Sequence, residues 1–137
     1  IILFDSGARI EEFLNIRLDD VKVKKENIGE LQAYNTELNE KDYYKIRIRY
    51  SKTKPRTISI PLCTKYLNDW IKELPARNNP DAFLFDLSYP NVKKILMRKG
   101  EKILNKRLTP HILRHSSMTY YANIIKNRAK KFCWQVA

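Results

Sequence analysis

The sequence predicts an α+β fold that is mostly helical, with a small antiparallel sheet built on a β-hairpin. Three observations carry this. Residues 43–51, YYKIRIRYS, alternate Tyr44, Ile46, Ile48 and Tyr50 with Lys45, Arg47 and Arg49, the period of a strand with one buried face. Residues 61–74 place Leu62, Tyr66, Leu67, Trp70, Ile71 and Leu74 at helical spacing. Thr109-Pro110 is a helix start, because the Thr hydroxyl can accept from an orphan backbone N–H and Pro fits the first helical position.

The remaining elements follow in chain order. Ser6 can cap a helix running from Gly7 to about Ile16, with Ala8, Phe13 and Ile16 turned inward. Residues 18–23 lead into a strand, 28–34 can form another short strand, and 35–42 read as a polar loop. Ser51-Lys52-Thr53-Lys54-Pro55-Arg56 is a turn, since Pro55 cannot sit in the middle of a sheet. Residues 57–61 alternate again, so the two runs form a hairpin with a basic tip. Residues 75–81 end the following helix, and 82–85 are a short buried strand or extended connector. Ser88 starts a helix carrying Val92, Ile95, Leu96 and Ile103, which Gly100 interrupts. The helix capped by Thr109 is expected to reach about Lys126; beyond it, Phe132-Cys133-Trp134 resumes an apolar pattern, with Trp134 as a core residue.

A chain of 137 residues with 43% apolar content is one domain with a real core. Its 27 basic against 15 acidic residues give a net charge of +12, which predicts attraction to polyanions, nucleic acid first. The bland alternative is a soluble basic surface. Cys63 and Cys133 form neither a metal-ligand spacing nor a disulfide framework, so reduced thiols in an intracellular protein are expected. No apolar run reaches the length of a membrane span, and the N-terminal Ile1-Ile2-Leu3-Phe4 run has no basic lead-in. The missing initiator Met and the end at Val136-Ala137 suggest that residues 1–137 are a domain fragment truncated at both ends.

The residues that can carry chemistry are spread over three segments. His111 and Arg114 stand three residues apart on the new helix, one able to exchange a proton near neutral pH and the other a rigid fork for phosphate oxygens. Arg9 and Glu12 can share a helix face, where the carboxylate would hold the guanidinium; an ordinary intrahelical pair is the alternative. Lys52 at the hairpin tip can reach a DNA groove or donate a proton, or be a solubilising turn residue. Lys54 and Arg56 read as phosphate-backbone contacts. His115 reads as a structural hydrogen-bonding residue, and Tyr120 and Tyr121 as packing residues. Two histidines without a neighbouring Cys or carboxylate pattern offer no zinc site, and there is no phosphate loop, dinucleotide fingerprint or nucleophile elbow.

Taken together, these pieces resemble the catalytic domain of the tyrosine recombinases, the phage-integrase family. Residues 6–21, from Ser6-Gly7-Ala8-Arg9 through Glu12 to Asp20-Val21, look like the family's first arginine motif. Residues 51–62, from Ser51-Lys52 to Pro61-Leu62, look like its lysine hairpin, and His111-Ile112-Leu113-Arg114-His115-Ser116 looks like its H-x-L-R-H-[ST] motif. The resemblance implies site-specific recombination or integration, by cleavage and rejoining of double-stranded DNA through a 3′-phosphotyrosyl intermediate. Arg9 and Arg114 would clamp the non-bridging oxygens of the scissile phosphate. His111 would act as acid/base, Lys52 would protonate the departing 5′ oxygen, with Lys54 the neighbouring candidate, and Glu12 would support Arg9. His115 would have a supporting part. No metal or cofactor is implied. The implied partners are duplex DNA and further recombinase subunits, tetrameric on DNA, in the cytoplasm or nucleoid of a host cell.

The sequence also departs from that pattern. Trp134 comes slightly early for the family's second His or Trp, and no tyrosine follows Tyr121. The covalent nucleophile is therefore not in this chain, and the fragment alone is expected to be inactive. The alternatives are a DNA-binding module or degenerate remnant without catalysis, a type IB topoisomerase, and an unrelated basic RNA-binding domain.

Overall fold

A strand that alternates apolar and cationic residues can bury only one face, and the sheet is built on that constraint. The computed structural model describes residues 2–25, 29–32, 42–49, 51–52, 54–60 and 63–136. Its four antiparallel strands are β1 (Val21–Lys25), β2 (Gly29–Gln32), β3 (Tyr43–Ile48) and β4 (Arg56–Ile60), in the spatial order β2-β1-β3-β4. The register sets Val21 against Ile46, Val23 against Tyr44, and Ile46 against Ile58. Val21, Val23, Tyr44, Ile46, Ile48 and Ile60 are buried, so the alternation in 43–51 lands on the core face as expected. Buried Tyr44 keeps its hydroxyl satisfied by donating to Asn68 Oδ1 at 3.1 Å, and burial, helped by nearby Asp69, holds that hydroxyl protonated. The expected loop at 35–42 lies outside the described residues except for Asp42, which is buried and paired with Lys25 at 3.1 Å. Tyr50, Pro61 and Leu62 also lie outside them.

The first helix departs from the expectation. Instead of one helix over 7–16 there are two short ones, α1 (Ile2–Ser6) and α2 (Ile10–Leu14). Gly7 separates them at φ +60°, the left-handed region that glycine enters without steric cost. Ser6 closes α1 rather than opening a helix: its hydroxyl donates to Leu3 O at 3.1 Å and accepts from Ala8 N at 3.3 Å. Arg9 takes an extended conformation and caps α2, where Glu12 Oε1 accepts from Arg9 N at 3.4 Å. A single 3-10 turn, Leu18–Asp20, then feeds β1.

α3 (Thr64–Glu73) follows β4, with Leu67 and Ile71 buried. Tyr66 and Trp70, at the same helical spacing, stay 57% and 40% exposed. The Trp70 indole N–H donates to Leu84 O at 2.8 Å, so the ring lies across the surface of the 82–85 segment. That segment is an extended connector: Phe83 forms an isolated bridge with Arg17, and Leu84 N donates to Ile16 O at 2.9 Å. Phe85 stacks on Phe13 at 4.5 Å between ring centroids.

α4 (Tyr89–Lys99) starts where Ser88 predicts, with Ser88 Oγ accepting from Asn91 N at 3.4 Å. The α-helix ends at Gly100 as expected, but the chain does not unwind there. The chain stays helical and widens into a π turn over Gly100–Leu104, ended by Asn105 at φ 51°. Gly100 is required by proximity, because a Cβ there would meet Lys106 O at 2.6 Å and Leu108 Cγ at 2.8 Å. Ile103, expected with the apolar set, is 70% exposed.

α5 (Pro110–Val136) begins at the expected cap, with Thr109 Oγ1 accepting from Ile112 N at 3.2 Å. It runs past the expected end near Lys126, since 127–136 contains neither Gly nor Pro to stop it. The side chains of Cys133 and Trp134 lie outside the described residues. The core joins the inner sheet face to α1, α2, α3 and α4, while α5 adds only Leu113 to its apolar rim among the described residues.

Candidate functional site

The site starts from the corner that Gly7 makes. By turning left-handed, Gly7 ends α1 and hands an extended Arg9 to the start of α2. Arg9 is half-buried, and its guanidinium makes no hydrogen bond or ion pair among the described residues. Its expected holder, Glu12, does something different with its side chain. Glu12 is buried, its Oε1 faces the Arg9 backbone N–H, and its Oε2 accepts from Arg56 Nη1 at 2.5 Å. The carboxylate thus orders the Arg9 backbone while its charge is neutralised by Arg56. Arg56, at the start of β4, also donates to Ser51 Oγ at 3.4 Å. It therefore ties both arms of the hairpin turn to α2, in place of the free phosphate contact that its turn position suggested.

This bracing brings the turn beside α2. A cavity of about 280 Å³ is lined by Arg9, Glu11, Glu12, Asn15, Ser51 and Lys52. Lys52 is exposed and makes no ion pair among the described residues. Two cations without acidic partners thus share a cavity whose buried acid is already matched by a third cation. Of its two carboxylates the buried one, Glu12, is neutralised by Arg56, and Glu11 is exposed to solvent, so the cavity keeps room for an anion beside Arg9 and Lys52. Lys54 is exposed and lies outside this lining.

The histidine motif sits on α5, which docks against α1. Ser117 is buried, and its Oγ would lie only 3.3 Å from a Cβ placed on Gly7. Gly7 is therefore needed twice, for its positive φ and for this close approach. The Tyr121 hydroxyl donates to the buried Asp5 carboxylate in α1, and Phe4 packs on Tyr120 at 5.8 Å between centroids. Asp5 Oδ2 also accepts from Cys63 N at 2.9 Å, so one carboxylate joins α1, α3 and α5. Burial and the Asp5 carboxylate hold the Tyr121 hydroxyl protonated, which disfavours it as a nucleophile. Arg114 lies seven residues before Tyr121, on the same stripe of the helix. It is half-buried, and its Nε is buried with no hydrogen-bond partner among the described residues. A buried guanidinium nitrogen without an acceptor is unusual and leaves a donor open to an acceptor. His111 and His115 are exposed, and neither imidazole makes a hydrogen bond among the described residues.

The expected residues therefore fall into two groups. Arg9, Glu12 and Lys52 line one cavity, whereas His111, Arg114 and His115 do not line it. The α1–α5 packing joins the groups, since Ser117 abuts Gly7 two residues before Arg9. Sequence reasoning missed Asp5, Ser117 and Arg56 as the braces. The one available signal was Asp5 itself, an acid at the end of an apolar run. Among the described residues no three His, Cys, Asp or Glu side chains cluster as metal ligands. No described helix is long and apolar enough to cross a membrane. No family model matches the chain, and no curated protein or solved structure matches it either.

Proposed function

We propose that this chain is the phosphate-gripping part of a tyrosine recombinase catalytic domain, acting on double-stranded DNA. The observation that carries the reading is the cavity shared by Arg9 and Lys52, with Glu12 already neutralised by Arg56. The unpartnered Arg114 Nε adds a second donor that lacks an acceptor. In the proposed reaction Arg9 and Arg114 hold the non-bridging oxygens as charge builds on the pentacoordinate phosphorus. Lys52 delivers a proton to the departing 5′ oxygen, and His111 exchanges protons with the attacking side. Glu12 acts through the Arg9 backbone and through Arg56, as a positioning residue. The tyrosine that would attack, and the other subunits of a DNA-bound assembly, belong to the intact protein.

A suicide substrate tests this on the intact protein. Wild type should become linked to a DNA 3′ phosphate, and Arg9→Ala or Arg114→Ala should slow that linkage by about 10²- to 10³-fold. Wild-type rates from both variants would sink the arginine roles. A second reading, a DNA-binding module without chemistry, is favoured by one observation: the histidine motif does not line the Arg9 cavity. Tight duplex binding with no covalent product from the wild-type protein would select it.

A further inference from the structure

The outward face of the sheet carries a second concave, charged surface, which the proposed chemistry does not use. It is a basin of about 380 Å³ lined by Asp19, Asp20, Lys22, Lys45, Arg47, Arg49 and Thr57. Its two acids are already engaged. Asp20 accepts from Arg17 N at 3.1 Å and from Arg49 Nε, and Asp19 pairs with Lys22 at 3.4 Å and with Arg49 Nη2 at 3.3 Å. Arg49 is thereby a structural anchor. Arg47 differs: it is exposed, opposite Thr57 in the register, and its guanidinium makes no hydrogen bond or ion pair among the described residues.

We infer that this basin binds a backbone phosphate of DNA, with Arg47 as its fork and the Thr57 hydroxyl beside it. An anion there meets the Arg47 guanidinium, which has no other partner among the described residues. The position favours a nucleic acid over an acidic peptide. Lys45 and Arg47 project from one face of β3, about 6.5 Å apart at strand rise, and Arg49 just beyond its end leads toward Lys52 in the turn. β3 is paired on both edges, so a peptide strand cannot add to it through backbone hydrogen bonds. A phosphodiester chain needs no such pairing. This inference rests on the DNA-binding part of the proposed function and not on its chemistry.

The test is fluorescence anisotropy of the 137-residue chain with a labelled duplex across a salt series. Arg47→Ala should weaken binding several-fold and lower the magnitude of the log–log salt slope by about 1. Arg47→Gln, which keeps the aliphatic stem, should do the same if folding of the Ala variant is impaired. Lys72→Ala removes an equal charge from the exposed side of α3 and should leave the slope unchanged. Equal slope changes in the Arg47 and Lys72 variants would reduce the effect to bulk charge and overturn the inference. A wild-type chain that binds no duplex overturns the proposed function as well. Wild-type binding that neither Arg47 variant alters overturns this inference alone. Loss of poly-glutamate binding with duplex binding intact would assign the basin to an acidic protein and overturn it too.

Discussion

Replacing Tyr121 by Phe removes one oxygen from the junction of α1 and α5 and leaves the ring in place. That oxygen donates to Asp5, a carboxylate only 3% exposed. A hydrogen bond to a charged acceptor contributes about 1.5–3 kcal/mol to stability. The lower end applies here, because Asp5 keeps the Cys63 N–H at 2.9 Å and the half-buried Tyr121 site can admit water. Tyr121→Phe should therefore destabilise by about 1.5 kcal/mol, read as a shift in the urea midpoint at unchanged slope. For a chain of this size that lowers the melting temperature by about 6 °C. Asp5→Asn and the double variant complete a thermodynamic cycle, and direct contact requires a coupling of about 1 kcal/mol. A loss under about 0.5 kcal/mol, or strict additivity in the cycle, would refute the claim that this pair holds α5 on α1.

Two further outcomes follow from the same framework. Gly100→Ala should destabilise by about 1–3 kcal/mol in urea unfolding although Ala is the better helix former, because its Cβ would meet Lys106 O at 2.6 Å; a stabilised variant would contradict the close approach. Burial, with Asp5 nearby, pushes the Cys63 thiol up from 9.0 to about 11, and the Tyr121 hydroxyl is raised in the same direction. The folded state then binds more protons than the unfolded one above pH 9.0, so the contribution is intact below that value and is lost as pH rises through about 11. Urea midpoints measured across this range should fall, less steeply in Tyr121→Phe, and a flat profile would exclude the linkage.

What the residues announced, and what they hid, has a physical pattern. The β3 alternation was legible because one sheet face is buried and the other is not, which writes a period of two into the sequence. Ser88 and Thr109 were legible because a cap is satisfied by a backbone N–H only three residues away. Ser6 misled, since a serine beside a glycine can close one helix as readily as open another. Gly100 was legible as the end of α4, but the reason for a glycine there lies in Lys106 and Leu108 and not in its own helix. The pairs Glu12–Arg56 and Asp5–Tyr121 span 44 and 116 positions, beyond the reach of any local pattern. For that reason the cations of the candidate site could be named from their types, while the groups that brace them could not.

The Asp5–Tyr121 contact has a consequence for how the chain reaches its fold. Closing a loop of 116 residues carries an entropic cost of roughly 4 kcal/mol from its length alone. Local hairpins such as β3–β4 close far sooner, so the seam between the first helix and the last is among the late events of folding. On the ribosome, Ile2, Leu3 and Phe4 leave the exit tunnel long before Tyr121 is synthesised, and N-terminal segments emerge first as a rule. Until α5 arrives, that apolar edge has no cover from it and is open to a chaperone or to another nascent chain.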